Sequence, residues 1–305
     1  MPINLRSLTT KVLLLFTAII LSVNVSQAQT NSKSKLTYID IDSPSLISKQ
    51  KVKAGVYLPA GYDQKARRFP VIYYFAGFGQ DETGWEKMGV KDILDDLIAR
   101  KIVSPMIVIS PGSNDTGWVN WYNGEYQWED FIKRDLVRAV DQRYRTINES
   151  CARAIAGNSM GGSGALVIGF KNRNIFGSIS SHSAAVQPED PSKLPGWAKN
   201  WEGWIPRNGK PIDVYFWKAN NSLALAEMFN NSNRDNKLIY FDVGEKDHLG
   251  FAKTNAALSK RLKDLEIEHE FHLRAGGHGS KFVKDNAHYS LKFHSNAFRQ
   301  KCKRG

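Results

Sequence analysis

Cysteine is nearly absent: Cys151 and Cys302 are the only two in 305 residues. That excludes a disulfide-dense scaffold, and the lack of any cluster of metal-ligand residues at a recognised spacing excludes zinc modules. In an oxidising compartment the two thiols could pair and tie down the C-terminal tail. Sequence alone leaves this open, because geometry decides it. Long apolar runs are missing too, apart from residues 12–23. Arg6 and Lys11 precede that run, and Ser26 and Ala28 follow at the −3 and −1 positions of a cleavage site. The run is too short and wrongly flanked for a bilayer span, so residues 1–28 are expected to be a secretory signal peptide and the location secreted or periplasmic. No stable membrane insertion is expected, and no cysteine near the cleavage point suggests a lipid anchor. Acidic residues are outnumbered, 30 against 42 Lys and Arg, for a formal charge of +12 that falls by two to +10 once Arg6 and Lys11 leave. The basic residues are scattered and no nucleic-acid module is visible. A solvated basic surface is the plainer reading, and attraction to acidic polysaccharide or anionic membranes the alternative. No internal repeat is apparent.

What remains, residues 29–305, is long enough for one α/β domain with a large core. Residues 36–41 and 50–58 read as edge strands. Residues 70–75 and 106–111 are continuous apolar runs, as expected of buried parallel strands. Residues 152–156, 178–183, 237–244 and 267–273 read as further strands. Helical spacing marks Val90, Ile93, Leu94, Leu97 and Ile98. It also marks Trp128 to about Tyr144, Leu258 with Leu262 and Leu265, and roughly residues 285–299. Strands alternating with helices predict a mainly parallel sheet covered on both faces. Residues 187–236 differ, with Pro188, Pro191, Pro195, Pro206 and Pro211, four tryptophans and poor periodicity. They read as an insertion beside the site, either a lid or substrate wall or a packed surface excursion.

Gly157-Asn158-Ser159-Met160-Gly161 fits a nucleophile elbow, G-x-S-x-G. Serine at the tip of a tight strand-to-helix turn needs small neighbours two positions away on each side. The Met160 N–H then points into the site as one donor to a developing oxyanion. The loop Ala76-Gly77-Phe78-Gly79 follows a buried strand, where hydrolases of this class keep their second donor, and Phe78 N–H is the candidate. A serine hydroxyl needs a base, and the base needs an acid to fix its tautomer. Of seven histidines only His278 sits in a glycine-rich loop after a late strand. Asp247 is the first choice of acid because it lies farthest into the preceding loop. Asp242, at the strand end, is the runner-up and Glu245 the third. Trp118, Trp121 and Tyr122 lie in an aromatic loop that could stack on a sugar or aromatic acyl group, or could equally be core anchors. This chemistry requires no cofactor and no metal.

Here a resemblance can be named. Val56-Tyr57-Leu58-Pro59-Ala60-Gly61-Tyr62, residues 70–79 with Gly84-Trp85, Trp128-Glu129-Asp130-Phe131, Tyr144-Arg145-Thr146 and residues 154–162 carry it. Ser181-His182-Ser183, Gly244 with Asp247, and Gly276-Gly277-His278 complete it. Together they resemble the esterase D-like family of the α/β-hydrolase superfamily, which includes feruloyl esterases, S-formylglutathione hydrolases, siderophore esterases and mycolyltransferases. The resemblance implies an α/β-hydrolase fold, Ser159 as nucleophile, Asp247 and His278 as acid and base, and Phe78 and Met160 as oxyanion donors. Two positions depart from it: Ala76-Gly77 stands where many members have His-Gly, and Gly279-Ser280 where many have Asp-Trp. The expected function is an exported serine hydrolase acting on a small-molecule or carbohydrate ester, through an acyl-enzyme. The alternatives are an acyltransferase using a sugar hydroxyl, and a binding protein on a hydrolase scaffold.

Overall fold

The computed structural model describes residues 33–46, 51–64, 66–113, 115–199, 202, 204–228 and 238–302. The expected signal peptide lies outside them, as do parts of the expected insertion. Eight strands form one sheet: β1 (Lys35–Ile41), β2 (Val52–Leu58), β3 (Val71–Phe75), β4 (Ile107–Pro111), β5 (Arg153–Asn158), β6 (Ser178–His182), β7 (Ile239–Gly244) and β8 (Glu270–Arg274). Their spatial order is β1-β2-β4-β3-β5-β6-β7-β8. β1 pairs antiparallel with β2, and β2 with β4; every later pairing is parallel. The mainly parallel sheet expected from the alternating pattern is therefore present.

Side-chain alternation explains why both faces are covered. Val71, Tyr73 and Phe75 of β3 enter one apolar cluster, and Ile72 and Tyr74 enter the other. The first cluster is closed by α3 (Met160–Lys171) and α4 (Phe251–Asp264), through residues such as Leu166, Leu258 and Leu262. The second is closed by α1 (Val90–Ala99), through Leu94 and Leu97, and by α5 (Ser280–Lys301), through Leu291 and Phe298. Between these, the helix beginning at Trp128 widens into a π-type stretch over Phe131–Leu136 before continuing as α2 (Val137–Arg143). Among its described residues the 187–236 region contributes short helices, Gly196–Lys199, Trp204–Asn208, Val214–Ala219 and Ser222–Leu225. Such lengths leave no room for an apolar stripe to repeat, which is why no periodicity showed there.

Strand order fixes where a site can form. From β3 the chain moves to β4 on one side, and β5 then inserts on the other side of β3. The loops leaving β3 and β5 diverge at this reversal and open a crevice at the carboxyl ends of the strands. Cys151 and Cys302 form a disulfide, with Cα atoms 5.5 Å apart, that joins the end of α5 to the start of β5. No helix among the described residues is long and apolar enough to cross a membrane.

Candidate active site

The elbow forms because nothing but glycine fits on either side of Ser159. A Cβ on Gly161 would stand 2.1 Å from the Phe75 carbonyl oxygen, and one on Gly157 would stand 2.5 Å from the Gly161 backbone. Ser159 itself holds φ 52° and ψ −118°, a conformation that costs a non-glycine residue roughly 1–3 kcal/mol. The surroundings enforce it: Ser159 N–H donates to the His182 carbonyl at 2.9 Å, while its own carbonyl accepts from Ser163 and Ala185 N–H groups, each at 3.0 Å. Gly162 and Gly169 let α3 approach β6, since side chains there would strike Ser181 and Ile179.

The partners reach Ser159 from the far side of the sheet. Glu245 N–H donates to the Arg274 carbonyl at 2.8 Å and Lys246 N–H to the Gly276 carbonyl at 2.9 Å. The loops after β7 and β8 are thereby laced together. They touch so closely that a Cβ on Gly244 would lie 2.5 Å from the Gly277 carbonyl oxygen. This lacing brings Asp247 Oδ2 to 2.8 Å from His278 Nδ1, and His278 Nε2 to 2.9 Å from Ser159 Oγ. With an ionised carboxylate accepting at Nδ1, the imidazole proton resides there and Nε2 presents its lone pair to the serine hydroxyl. The Asp247 carboxylate is fully shielded from solvent and also accepts from Leu249 N–H at 3.0 Å. The phenyl ring of Phe251 packs edge-on against His278 at 5.4 Å between centroids.

Met160 follows the serine directly, and the loop before Phe78 comes close to it: a Cβ on Gly77 would stand 3.3 Å from Ser159 Cβ. Met160 opens α3, so its N–H is one of the first-turn donors without an intrahelical partner. The loop carrying Phe78 is held by a polar chain not anticipated from the sequence. Tyr74 OH donates to Asn158 Oδ1 at 2.8 Å, Asn158 Nδ2 donates to Gln80 Oε1 at 3.2 Å, and Gly77 N–H donates to the same oxygen at 2.8 Å. Burial pushes the Tyr74 phenol well above its ordinary range, so it remains a donor. Gln80 and Asn158 lie three and one residues from the motif glycines. That proximity was the only signal available.

Trp118, Trp121 and Tyr122 divide. Trp118 offers no open face: it is 2 % exposed, stacks on Phe75 at 4.3 Å and donates from Nε1 to the Ala76 carbonyl at 3.1 Å. It is a core residue that anchors the strand end before Phe78, and only its margin lines a cavity. An aromatic loop reads alike in sequence whether its rings stack inward or outward. Trp121 is half-buried, bonded through Nε1 to the Thr116 carbonyl at 2.7 Å. Tyr122 is exposed and packs edge-on against Phe216. The cavity, about 120 Å³, lies beside Met160 and Ser163 and is walled by Trp118, Arg207, Asn208 and Trp217. Asp242, the runner-up acid, is committed elsewhere. It accepts from His182 Nδ1 at 2.7 Å, Tyr240 OH at 2.6 Å and Arg274 Nε at 3.3 Å, fully buried. Among the described residues no group of His, Cys, Asp and Glu could hold a metal ion.

The Esterase family model, described as putative esterase, matches residues 43–286 and so encloses every residue of this arrangement. The chain belongs to the esterase family. Within it, an esterase of Mycobacterium tuberculosis (strain H37Rv) is 30 % identical over 246 residues, 73 % of this chain and 51 % of that protein. An endo-1,4-beta-xylanase/feruloyl esterase of Xylanibacter ruminicola is 33 % identical over 132 residues, 41 % of this chain and 18 % of that protein. The chain thus spans about half the length of the mycobacterial relative and under a fifth of the second. A solved ferulic acid esterase superposes with TM-score 0.74 at 23 % identity, covering 88 % of this chain and 100 % of that one, which confirms the esterase fold.

Proposed function

We propose that the chain is an exported serine esterase that cleaves a carboxylic ester through Ser159, His278 and Asp247. The observation that carries this reading is the continuous Asp247–His278–Ser159 relay, with bonds of 2.8 and 2.9 Å, at the strand-order reversal. Ser159 Oγ attacks the acyl carbonyl while His278 Nε2 takes its proton. Asp247 holds the imidazole in the required tautomer and stabilises the imidazolium. The N–H groups of Phe78 and Met160 receive the oxyanion of the tetrahedral intermediate. His278 then protonates the departing alcohol, and water repeats the sequence on the acyl-enzyme. The signal-like residues 1–28 support export.

The acyl group occupies the cavity of about 120 Å³ beside Met160, on the serine's own helix. Its mixture of Trp118, Trp217, Asn208 and Arg207 suits a flat acyl group carrying polar substituents better than a plain alkyl chain. The ferulic acid esterase and the xylanase/feruloyl esterase among the similar proteins support an aromatic acyl ester of a carbohydrate. The decisive experiment is p-nitrophenyl acetate hydrolysis by the wild-type protein beside Ser159→Ala, followed by methyl ferulate and related esters. Turnover lost by several orders of magnitude in the variant supports the assignment. Turnover that survives refutes it. Product analysis with an added sugar acceptor separates hydrolysis from acyl transfer.

A further inference from the structure

A second cavity, about 370 Å³, opens at the same carboxyl edge of the sheet, beyond the Phe78 loop. Its walls come from Gly112, Ser113 and Thr116 after β4, from Asp81 and Glu82 just past the Phe78 loop, and from the start of β2, where Lys51 and Lys53 lie. The register places this wall: Ala54 pairs with Pro111 at the end of β4. β4 and β2 lie two and three strands from β5. At a strand spacing of about 4.8 Å, the cavity is roughly 10–15 Å from Ser159 along the sheet edge.

Its chemistry is mixed and electrically balanced. Lys51, Lys53, Asp81 and Glu82 contribute to its lining, and Lys51 pairs with Asp42 at 3.8 Å and Asp81 with Lys87 at 3.7 Å, so three cations balance three carboxylates around it. Such a set disfavours a polyanion, which meets the carboxylates, and a polycation, which meets the lysines. An alkyl chain would have to desolvate all four charges. Two further polar groups in the lining have no hydrogen-bond partner among the described residues: Ser113 Oγ and Trp128 Nε1. Ser113 is 1 % exposed and Trp128 4 %. A buried donor without a partner is costly in a folded chain and calls for one from outside. The ligand class that supplies both donors and acceptors at every position, without net charge, is a polyhydroxyl sugar.

We propose that this cavity is a subsite for a neutral glycan segment of the substrate, the carbohydrate part of the ester whose acyl group reaches Ser159. The inference rests on the esterase reading above and names the alcohol side of the same substrate. Lys53 and Glu82 make charge-assisted bonds to sugar hydroxyls, and Tyr126 covers the sugar's apolar face.

The test uses the full mature protein carrying Ser159→Ala, with calorimetric titration of xylohexaose, cellohexaose and mannohexaose, and of hexagalacturonate as the acidic counterpart. At least one neutral hexaose binds. Lys53→Ala or Glu82→Ala, added to the Ser159→Ala protein, weakens it about tenfold, as loss of one charge-assisted bond does. In the active background, p-nitrophenyl acetate hydrolysis by Lys53→Ala remains within about twofold of wild type, since that ester has no sugar to bind. Circular dichroism confirms the fold of each variant. Binding of no neutral hexaose, binding of hexagalacturonate alone, or an affinity indifferent to both substitutions overturns the subsite. Failure of the esterase reading shows separately, as p-nitrophenyl acetate turnover that Ser159→Ala does not remove.

Discussion

Ser159 hangs from His182: its main-chain N–H donates to the His182 carbonyl at 2.9 Å. The same His182 bonds sideways through Nδ1 to Asp242 and through Nε2 to Ser290 Oγ, at 2.7 and 2.8 Å. Two Ser–His–Asp arrays therefore lie back to back, one open to the crevice and one sealed beneath it. The sealed array holds the end of β6 rigid, and β6 holds the turn that keeps Ser159 strained. The two aspartates consequently do different work, although only five positions separate Asp242 from Asp247.

Substituting each aspartate separates these tasks. Asp247→Asn should lower kcat by a factor on the order of 10³–10⁴ while leaving the urea midpoint close to wild type, because the wrong imidazole tautomer then faces Ser159. Asp242→Asn should instead cost about 3–5 kcal/mol of stability, since it leaves Arg274 without its buried counter-charge and weakens the acceptor at His182 Nδ1. Urea unfolding and steady-state kinetics on both variants check this. The opposite pattern would reassign the acid.

Gly161→Ala should destabilise the protein by about 3 kcal/mol or more and remove activity, because its Cβ would sit 2.1 Å from a backbone oxygen that cannot rotate away. Gly250→Ala is the control. Its φ is +80° but nothing lies within 4 Å of the added carbon, so only the left-handed backbone is penalised, by about 1–2 kcal/mol. Equal losses in the two variants would contradict this account of the elbow.

Stability should fall on acidification through the range set by His294. Burial, reinforced by the nearby His182, lowers its pKa to about 3, and its ring bonds Ser178 and Ser180 Oγ at 2.8 Å each. Below an unfolded value of about 6.5 the unfolded chain takes up a proton that the native ring refuses. The contribution of this residue is thus complete above that pH and is lost as pH falls toward 3, at roughly 1.4 kcal/mol per unit. His294→Gln should flatten this part of the stability profile, measured by thermal unfolding between pH 7 and 4. An unchanged slope would exclude His294 as its source.

Reducing the Cys151–Cys302 bond frees a loop spanning 151 positions. The chain-entropy argument gives a loss of about 3–5 kcal/mol. Esterase activity at low temperature should persist, because the bond lies at the start of β5 and Ser159 beyond its end. Denaturation midpoints with and without reductant, beside kinetics under both conditions, check the two halves of this expectation.

The elbow was legible in sequence because its glycines are a steric necessity, as was His278, which sits where a glycine loop follows the last strand. The choice of Asp247 over Asp242 depended on reach into a loop, a feature that sequence only suggests. The structure supplies the reason in the lacing of residues 245–246 to residues 274–276. Trp118 stayed open between a stacking surface and a core anchor because aromatic spacing does not say which way a loop turns its rings; the structure buries it, with its margin on the cavity. Asn158, Gln80 and the His182–Asp242–Arg274 network were invisible for another reason: they are single polar residues whose partners lie far along the chain. The C-terminal helix starts at Ser280 rather than near residue 285. Gly279, at φ 123°, serves as its entry and carries His278 at its threshold. An Asp in that place would be strained, which accounts locally for the departure from the family pattern.

The order in which the chain supplies its relay has a consequence for synthesis. The nucleophile is made first, and the acid and the base come from the last fifth or so of the sequence, on loops laced to each other. A nascent or clipped chain ending before residue 278 carries the serine without the histidine proposed as its base. On the proposed mechanism, its ester turnover should fall far below that of a chain carrying the whole relay.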